Sequence, residues 1–382
     1  MTTRSPAADR PPGWRTIGHE GASRFLQRSV VSGRLAHAFL ITGPAHVGKA
    51  ALALDLARAV NCGGEGPPAE RPCGECAACG RITRGVHSDI VVIDERTPIT
   101  GAAGAQASTE EQDSRRTMIS IDHIREMQHR AALNSFEGGW RVFIIDGADR
   151  MSPEAPDALL KTLEEPPPNV LIVLLAQSDE LIPETIVSRC QRVKLRHVPA
   201  EEIERALLDR TPLGGEEARV LAKLADGKPG RAFSAAEDNT ALDRYRQAVF
   251  RVVGVIAGDL EERFRYAREM ATEFQRDRSA AGRELDLWRS LWRDVLLLGC
   301  GSGEWVVNTG CKEALATLAG SVSSGEARSV IEAVDMVSHA LDRNAQARLA
   351  LEVMMLALPA VPEGAVLEDL FPGESGGEGG GV

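Results

Sequence analysis

Residues 38–60 read AFLITGPAHVGKAALALDLARAV: a short apolar run, a loop from Gly43 to Lys49, then Ala and Leu at helical spacing. A strand that ends in Gly-x4-Gly-Lys and opens straight into a helix is the context a phosphate-binding loop requires. The glycines let backbone N–H groups curl around phosphate oxygens. The helix amino terminus adds positive potential, and Lys49 reaches toward the outer phosphates. The motif then departs from its pattern, because Ala50 stands where a Ser or Thr hydroxyl normally ligates magnesium. The alternative is a plain tight strand–helix turn.

Working outward, the same alternation continues from residue 14 to about 195. Apolar runs at 38–42, 90–94, 142–146 and 171–176 are strand candidates, and 49–60, 121–133 and 154–165 carry apolar residues at helical spacing. Strands alternating with helices predict a parallel, helix-covered α/β sheet over 14–197. The run Val142-Phe143-Ile144-Ile145-Asp146 supplies an acid, Asp146, for a metal at the end of a strand. The next position is Gly147, where hydrolytic members of such folds carry a water-activating Glu. Two defects on one reaction coordinate, Ala50 and Gly147, predict a nucleotide fold that hydrolyses ATP poorly or not at all, with ATP and Mg2+ bound weakly or absent. Residues 96–117 are rich in Gly, Ala, Ser, Thr and acids without periodicity, which reads as a flexible surface insertion.

Strand signals end after His197. Short helical patterns at 200–209, 216–225 and 231–237 predict a small helical lid over 198–238, and longer amphipathic helices predict an all-α domain over 239–360. In the latter, Leu285, Trp288, Leu291, Trp292, Val295 and Leu296 form one apolar stripe, suited to bundle core or to a subunit interface. Residues 361–382 are mostly Gly, Glu and Ser toward the end and read as a disordered tail.

With 382 residues, 43% hydrophobic and 26% charged, the chain has globular composition and room for two or three domains. The 44 Lys and Arg against 55 Asp and Glu give a net charge of -11, so nonspecific polyanion binding by the whole molecule is excluded. The apolar run 170–176 is far short of the roughly 18 residues of a membrane span. The polar amino-terminal stretch lacks a signal peptide's apolar core, so the expected location is the cytoplasm, with no membrane contact.

Four of the seven cysteines, Cys62, Cys73, Cys76 and Cys79, cluster, while Cys190, Cys300 and Cys311 are scattered. In a reducing compartment that clustering points to metal rather than disulfide. Each C-x2-C turn sets two sulfurs on one side of an ion at about 2.3 Å, so four thiolates can close a tetrahedral shell around a structural Zn2+. Glycines and prolines throughout 62–80 suit the tight turns of such a module. His87 stands near enough in sequence to be a further donor, with a plain surface position as the alternative.

In combination these pieces resemble the clamp-loader subunits of bacterial DNA polymerase III, within the AAA+ superfamily. The stretch Asp157-Ala158-Leu159-Leu160-Lys161-Thr162-Leu163-Glu164-Glu165-Pro166-Pro167 is similar to the family's helix after the acidic strand, although Asp157 replaces the usual Asn. Ile186-Val187-Ser188-Arg189-Cys190 matches its Ser-Arg-Cys motif. The four-cysteine insertion, His37-Ala38-Phe39-Leu40 and Leu341-Asp342-Arg343-Asn344 add to the likeness, which spans about 18–358. Motor subunits of the family carry an intact phosphate loop and a water-activating Glu; the delta-prime branch has a degraded site and keeps the Ser-Arg-Cys arginine. Ala50 and Gly147 place the resemblance with delta-prime.

That resemblance implies a base, lid and collar architecture, and a stator that joins gamma/tau-type motor subunits, the delta subunit, the sliding clamp and primed DNA. It implies that Arg189 is a trans arginine finger, a planar and always-charged guanidinium that stabilises a transferring phosphoryl on a neighbour. It places Arg231 at the family's sensor 2 position. Gly43, Gly48, Lys49, Ala50, Asp146 and Arg231 then form a degenerate nucleotide site. Two rivals make different predictions: an active ATPase motor subunit would turn over ATP alone, and a zinc-dependent nucleic-acid binder would show DNA affinity that falls steeply with salt.

Overall fold

The computed structural model describes residues 13–99, 118–238, 240–343 and 345–361. Most of the 96–117 insertion, Asn344 and all but the first residue of the 361–382 tail lie outside them. The chain divides into two compact units, Met1–Asp209 with Gly227–Ala232, and Arg210–Asp226 with Phe233–Val382. The 198–238 stretch is therefore shared between the two.

The first unit contains five parallel strands, β1 (Ala38–Thr42), β2 (Ile90–Ile93), β3 (Arg141–Asp146), β4 (Val170–Ala176) and β5 (Gln191–Lys194), in the order β2-β3-β4-β1-β5. Helices α1 (Glu20–Val31), α2 (Lys49–Val60), α3 (Ala77–Thr83), α4 (Ile121–Ala131), α5 (Ala155–Glu164) and α6 (Glu184–Val187) accompany them. The three inner strands are buried almost throughout, as expected when helices cover both faces. Alternate residues divide between the faces. Leu40, Phe143, Ile145, Ile172 and Leu174 pack with Ile124, Met127, Leu159 and Leu163 from α4 and α5. Phe39, Ile41, Ile144, Val173 and Leu175 pack with Leu26, Leu52 and Leu56 from α1 and α2. The α/β parallel sheet expected from the sequence is present. Edge strand β5, where only Val193 of four residues is buried, was not among the candidate strands.

All five strands point the same way, so their carboxyl ends share one edge, where open α/β sheets place ligands. Because β4 lies between β1 and β3, the loop after β1 and the acid ending β3 approach each other across its end.

After β5 the elements of the described residues are all helices: α7 (Ala200–Arg210), α8 (Gly215–Leu224), α9 (Pro229–Ala236), α10 (Ala241–Ala257), α11 (Leu260–Arg276), α12 (Arg278–Gly299), α13 (Lys312–Ser321), α14 (Ser324–Asp342) and α15 (Ala347–Leu356), with short 3-10 turns between α12 and α13. In the second unit the α12 stripe is core. Leu285, Trp288, Leu291, Trp292 and Val295 are buried against Leu315, Leu318, Val330 and Val334, and Leu296 packs at the margin. Among the described residues no helix is long and apolar enough to cross a membrane.

Candidate functional site

Glycine is required at two points of the loop after β1. Gly43 has φ 151°, and a Cβ there would lie 2.7 Å from the Leu195 carbonyl oxygen; Gly48 has φ 112°. The Gly43 N–H is shared between the Ala176 and Gln177 carbonyls at 3.2 Å each, which pins the loop to the end of β4. Gly48 caps α2, and the first intrahelical bond runs from Leu52 N–H to Gly48 O at 3.0 Å. The amino end of α2 therefore keeps its orphan N–H donors for an external acceptor. Lys49 folds back over the loop, its Nζ donating to Gly43 O at 2.7 Å and Pro44 O at 2.8 Å. Burial lowers its pKa, and the charges of Asp146 and Asp149 oppose that shift.

Asp146 faces this lysine. Burial raises its carboxyl above its ordinary value, against the pull of Lys49 and Arg150. His46, in the left-handed region at φ 61°, has a lowered pKa because of burial and then of the cations Arg231, Lys228 and Lys49. The N–H of Gly230, at the start of α9, donates to His46 O at 2.9 Å, and a Cβ on Gly230 would meet that oxygen at 3.0 Å. The fold thus brings the Gly43–Ala50 loop and Asp146 together at the carboxyl edge of the sheet, and the charge of Arg231 acts on His46 of the same loop.

Two positions in this arrangement depart from a hydrolytic centre. Ala50 offers no oxygen to a cation. Gly147 has φ 94°, and a Cβ there would lie 2.6 Å from Nη2 and 2.8 Å from Nε of Arg150, whose Nη1 is held by Glu95 Oε1 at 3.0 Å. A guanidinium occupies the space that a side chain at 147 would enter. Gly147→Glu is expected to lower stability by about 1–3 kcal/mol, since a residue with a Cβ must adopt a glycine backbone and displace Arg150. A thermal melt unchanged from native would contradict this. A separate cavity of about 500 Å3 lies along β2, lined by Val91, Ile93, His123 and Met127. It contains neither Lys49 nor Asp146 and is no part of this site.

Arg189 follows the single-turn α6, 37% exposed. Its Nη2 pairs with Glu164 Oε1 at 2.7 Å, and Nη1 donates to the Thr185 carbonyl at 2.9 Å and Ser188 Oγ at 3.3 Å. The neighbouring Cys190 thiol is raised to about 12 by burial.

The four clustered cysteines carry no disulfide, and their sulfurs lie within 4.8 Å of one another. A tetrahedron with bonds of about 2.3 Å has edges of about 3.8 Å, so the set is close to metal-ready. Backbone N–H groups already point at the sulfurs: Cys73 N to Cys62 Sγ at 3.3 Å, Cys76 N to Cys73 Sγ at 3.3 Å, and Cys79 N to Cys76 Sγ at 3.5 Å. Burial alone would raise the Cys76 thiol, yet the N–H groups of Cys79 and Gly63 and neighbouring thiols draw it down to about 6; burial pushes Cys79 up. A Cβ on Gly64 would sit 3.1 Å from Cys73 Sγ and 3.5 Å from Cys62 Sγ, so glycine there lets the two ligand segments close. His87 is not in the cluster. It is buried, its Nδ1 accepting from Asp89 N–H at 3.2 Å and its Nε2 lying 3.3 Å from Glu137.

A family model described as DNA polymerase III, delta subunit, matches residues 18–199, the span of this loop, Asp146, the cysteines and Arg189. Over 223 residues the chain is 34% identical to the DNA polymerase III subunit tau of Bacillus subtilis, covering 57% of this chain and 36% of that one. Over 284 residues it is 25% identical to the delta' subunit of the same organism, covering 74% and 79%. Over residues 18–199 the chain is thus similar to the clamp-loader subunits of DNA polymerase III. A solved gamma-subunit-related protein from Thermotoga maritima aligns over 87% of this chain and 97% of its own at 17% identity, with a TM-score of 0.43.

Within the first unit, several residues around the site are not legible in the sequence. Arg150 and Glu95 depend on the backbone at Gly147. His37, quoted only as part of a motif, donates from Nε2 to the Leu163 carbonyl at 3.0 Å and so ties the start of β1 to the end of α5. Buried Asp55 of α2 accepts from the Arg15 and Thr16 N–H groups at 2.9 and 2.8 Å and from Thr16 Oγ1 at 2.6 Å, and it pairs with buried Arg58. That anchors the chain entering α1, whose capping residue His19 donates from Nε2 to the Val47 carbonyl of the loop at 3.2 Å. The only advance signal for such residues is a charged side chain inside an otherwise apolar helix, as at Asp55.

Proposed function

We propose that the chain acts as a delta-prime-like subunit of a DNA polymerase III clamp loader, a stator that hydrolyses no ATP and presents Arg189 to ATP held by a neighbouring subunit. In this reading 14–197 is the base, 198–238 the lid and 239–360 the collar that joins gamma/tau-type and delta subunits. The assembly loads the sliding clamp onto primed DNA in the cytoplasm. DNA is met through the complex, since this chain carries a net charge of -11.

One contrast carries the reading. The home site lacks a hydroxyl at Ala50 and a carboxylate at Gly147, with Arg150 filling the space beside the glycine, while the Arg189 guanidinium is offered at the surface. Lys49 can still reach a phosphate, but position 147, where a water-activating Glu would stand, carries no carboxylate. Purified native chain with ATP and Mg2+ is expected to show no turnover above background. Robust turnover would favour the motor-subunit alternative, for which the 34% identity to a tau subunit speaks.

Zn2+ held by Cys62, Cys73, Cys76 and Cys79 would be structural, because four thiolates leave no open coordination position for chemistry. When bound it cross-links the 62–80 loop, which otherwise has little apolar material to hold it. Protein purified without chelator should contain about one zinc per chain, and stripping it should lower the melting temperature. Metal analysis that finds none would overturn the assignment.

A further inference from the structure

Two of the sequence motifs meet at one contact, that of Glu164 at the end of α5 with Arg189 after α6. We propose that Glu164 is the positioning residue for Arg189, aiming its guanidinium out of the subunit. This rests on the reading of Arg189 as a residue that serves a neighbouring site.

The geometry has three parts. Arg189 is anchored on its inner side by two acceptors of its own segment, the Thr185 carbonyl at 2.9 Å and Ser188 Oγ at 3.3 Å, both on Nη1. Glu164 Oε1 pairs with Nη2 by charge at 2.7 Å. A guanidinium carries five N–H donors in a fixed plane; the hydrogen bonds here commit Nη1, the ion pair holds the Nη2 side by charge, and among the described residues the Nε edge is left for an acceptor beyond the chain. Glu164 is itself placed by rigid structure: His37 Nε2 donates to the adjoining Leu163 carbonyl at 3.0 Å, and the His37 carbonyl accepts the Ile172 N–H of β4 at 2.9 Å. The orientation of the arginine is thereby referred to the sheet, and the single-turn α6 need not hold it alone.

The pair orients the arginine and does not sequester it. Arg189 is 37% and Glu164 51% exposed, and an exposed ion pair is weak beside the attraction of a guanidinium for a phosphate. Covering by a neighbouring subunit lowers the local dielectric and makes the directing contact stronger.

The test is steady-state ATP hydrolysis by a loader reconstituted with native chain, Glu164→Ala, Glu164→Gln, Arg189→Ala and the double variant, each checked for assembly and for a native melting curve. Glu164→Ala should lower kcat about fivefold with KM for ATP little changed, and Glu164→Gln, which keeps an acceptor, should stay near native. The double variant should be no slower than Arg189→Ala alone. A native or raised kcat for Glu164→Ala beside a depressed Arg189→Ala would overturn the positioning role while sparing the arginine finger, as would a double variant slower than Arg189→Ala. Native kcat for Arg189→Ala would instead overturn the reading on which the inference rests.

Discussion

Asp89→Ala is expected to lower the unfolding free energy of the nucleotide-fold unit by about 3–5 kcal/mol, the usual cost of leaving one member of a buried ion pair without its partner. Asp89 is 1% exposed and Arg141 10%, with Nη2 and Oδ1 3.1 Å apart. The carboxylate also accepts the Phe136 and Glu137 N–H groups at 2.8 and 2.9 Å. Arg141 in turn donates to the carbonyls of Leu133 at 3.1 Å and Asn134 at 2.6 Å, and to that of Arg130. The end of α4, the loop after it and the start of β3, which carries Asp146, therefore hang on one contact.

Burial alone would raise the Asp89 carboxyl, but the two backbone N–H groups and Arg141 outweigh it and hold it below its ordinary value. A depressed carboxyl contributes stability above the unfolded pKa of about 3.9 that is lost as the pH falls through the folded one. Chemical denaturation should show the deficit of Asp89→Ala at neutral pH and a smaller one toward pH 3. A deficit under 1 kcal/mol at neutral pH, or one that grows on acidification, would contradict this account.

Elements with a strong period were legible in the sequence. The runs that became β1, β3 and β4 are buried on both faces and so read as continuous apolar segments, and α2 opens where the glycine-lysine motif says it must. Strand β5 was not legible, because an edge strand reading Gln-Arg-Val-Lys buries one side chain and carries its charges outward, which also guards the edge against pairing. The cysteine spacing foretold a cluster but not the helix α3 that carries Cys79. Asp89 and Arg141 are 52 residues apart, and such a pair leaves no periodic trace. Glu164 and Arg189 were each legible as parts of motifs, yet that they touch depends on the turn after α6. Arg150 as the occupant of the space beside Gly147 could be seen only once φ at 147 was fixed.

Replacing Arg189 by alanine is expected to remove about 10³-fold or more of the ATP hydrolysis at a neighbouring site, the range found when an arginine that stabilises a transferring phosphoryl is lost. The effect should fall on kcat, because the guanidinium matters most when charge develops on the phosphoryl. The fold should not suffer, since Arg189 is partly exposed and its inner contacts are to local backbone and hydroxyl groups. The direct test is clamp- and DNA-stimulated ATP hydrolysis in a loader reconstituted from motor subunits, delta and this chain, native against Arg189→Ala, after both are shown to assemble. A large loss of kcat with assembly intact is the predicted result. An unchanged rate in a fully assembled loader would contradict the account and make Arg189 an ordinary surface residue.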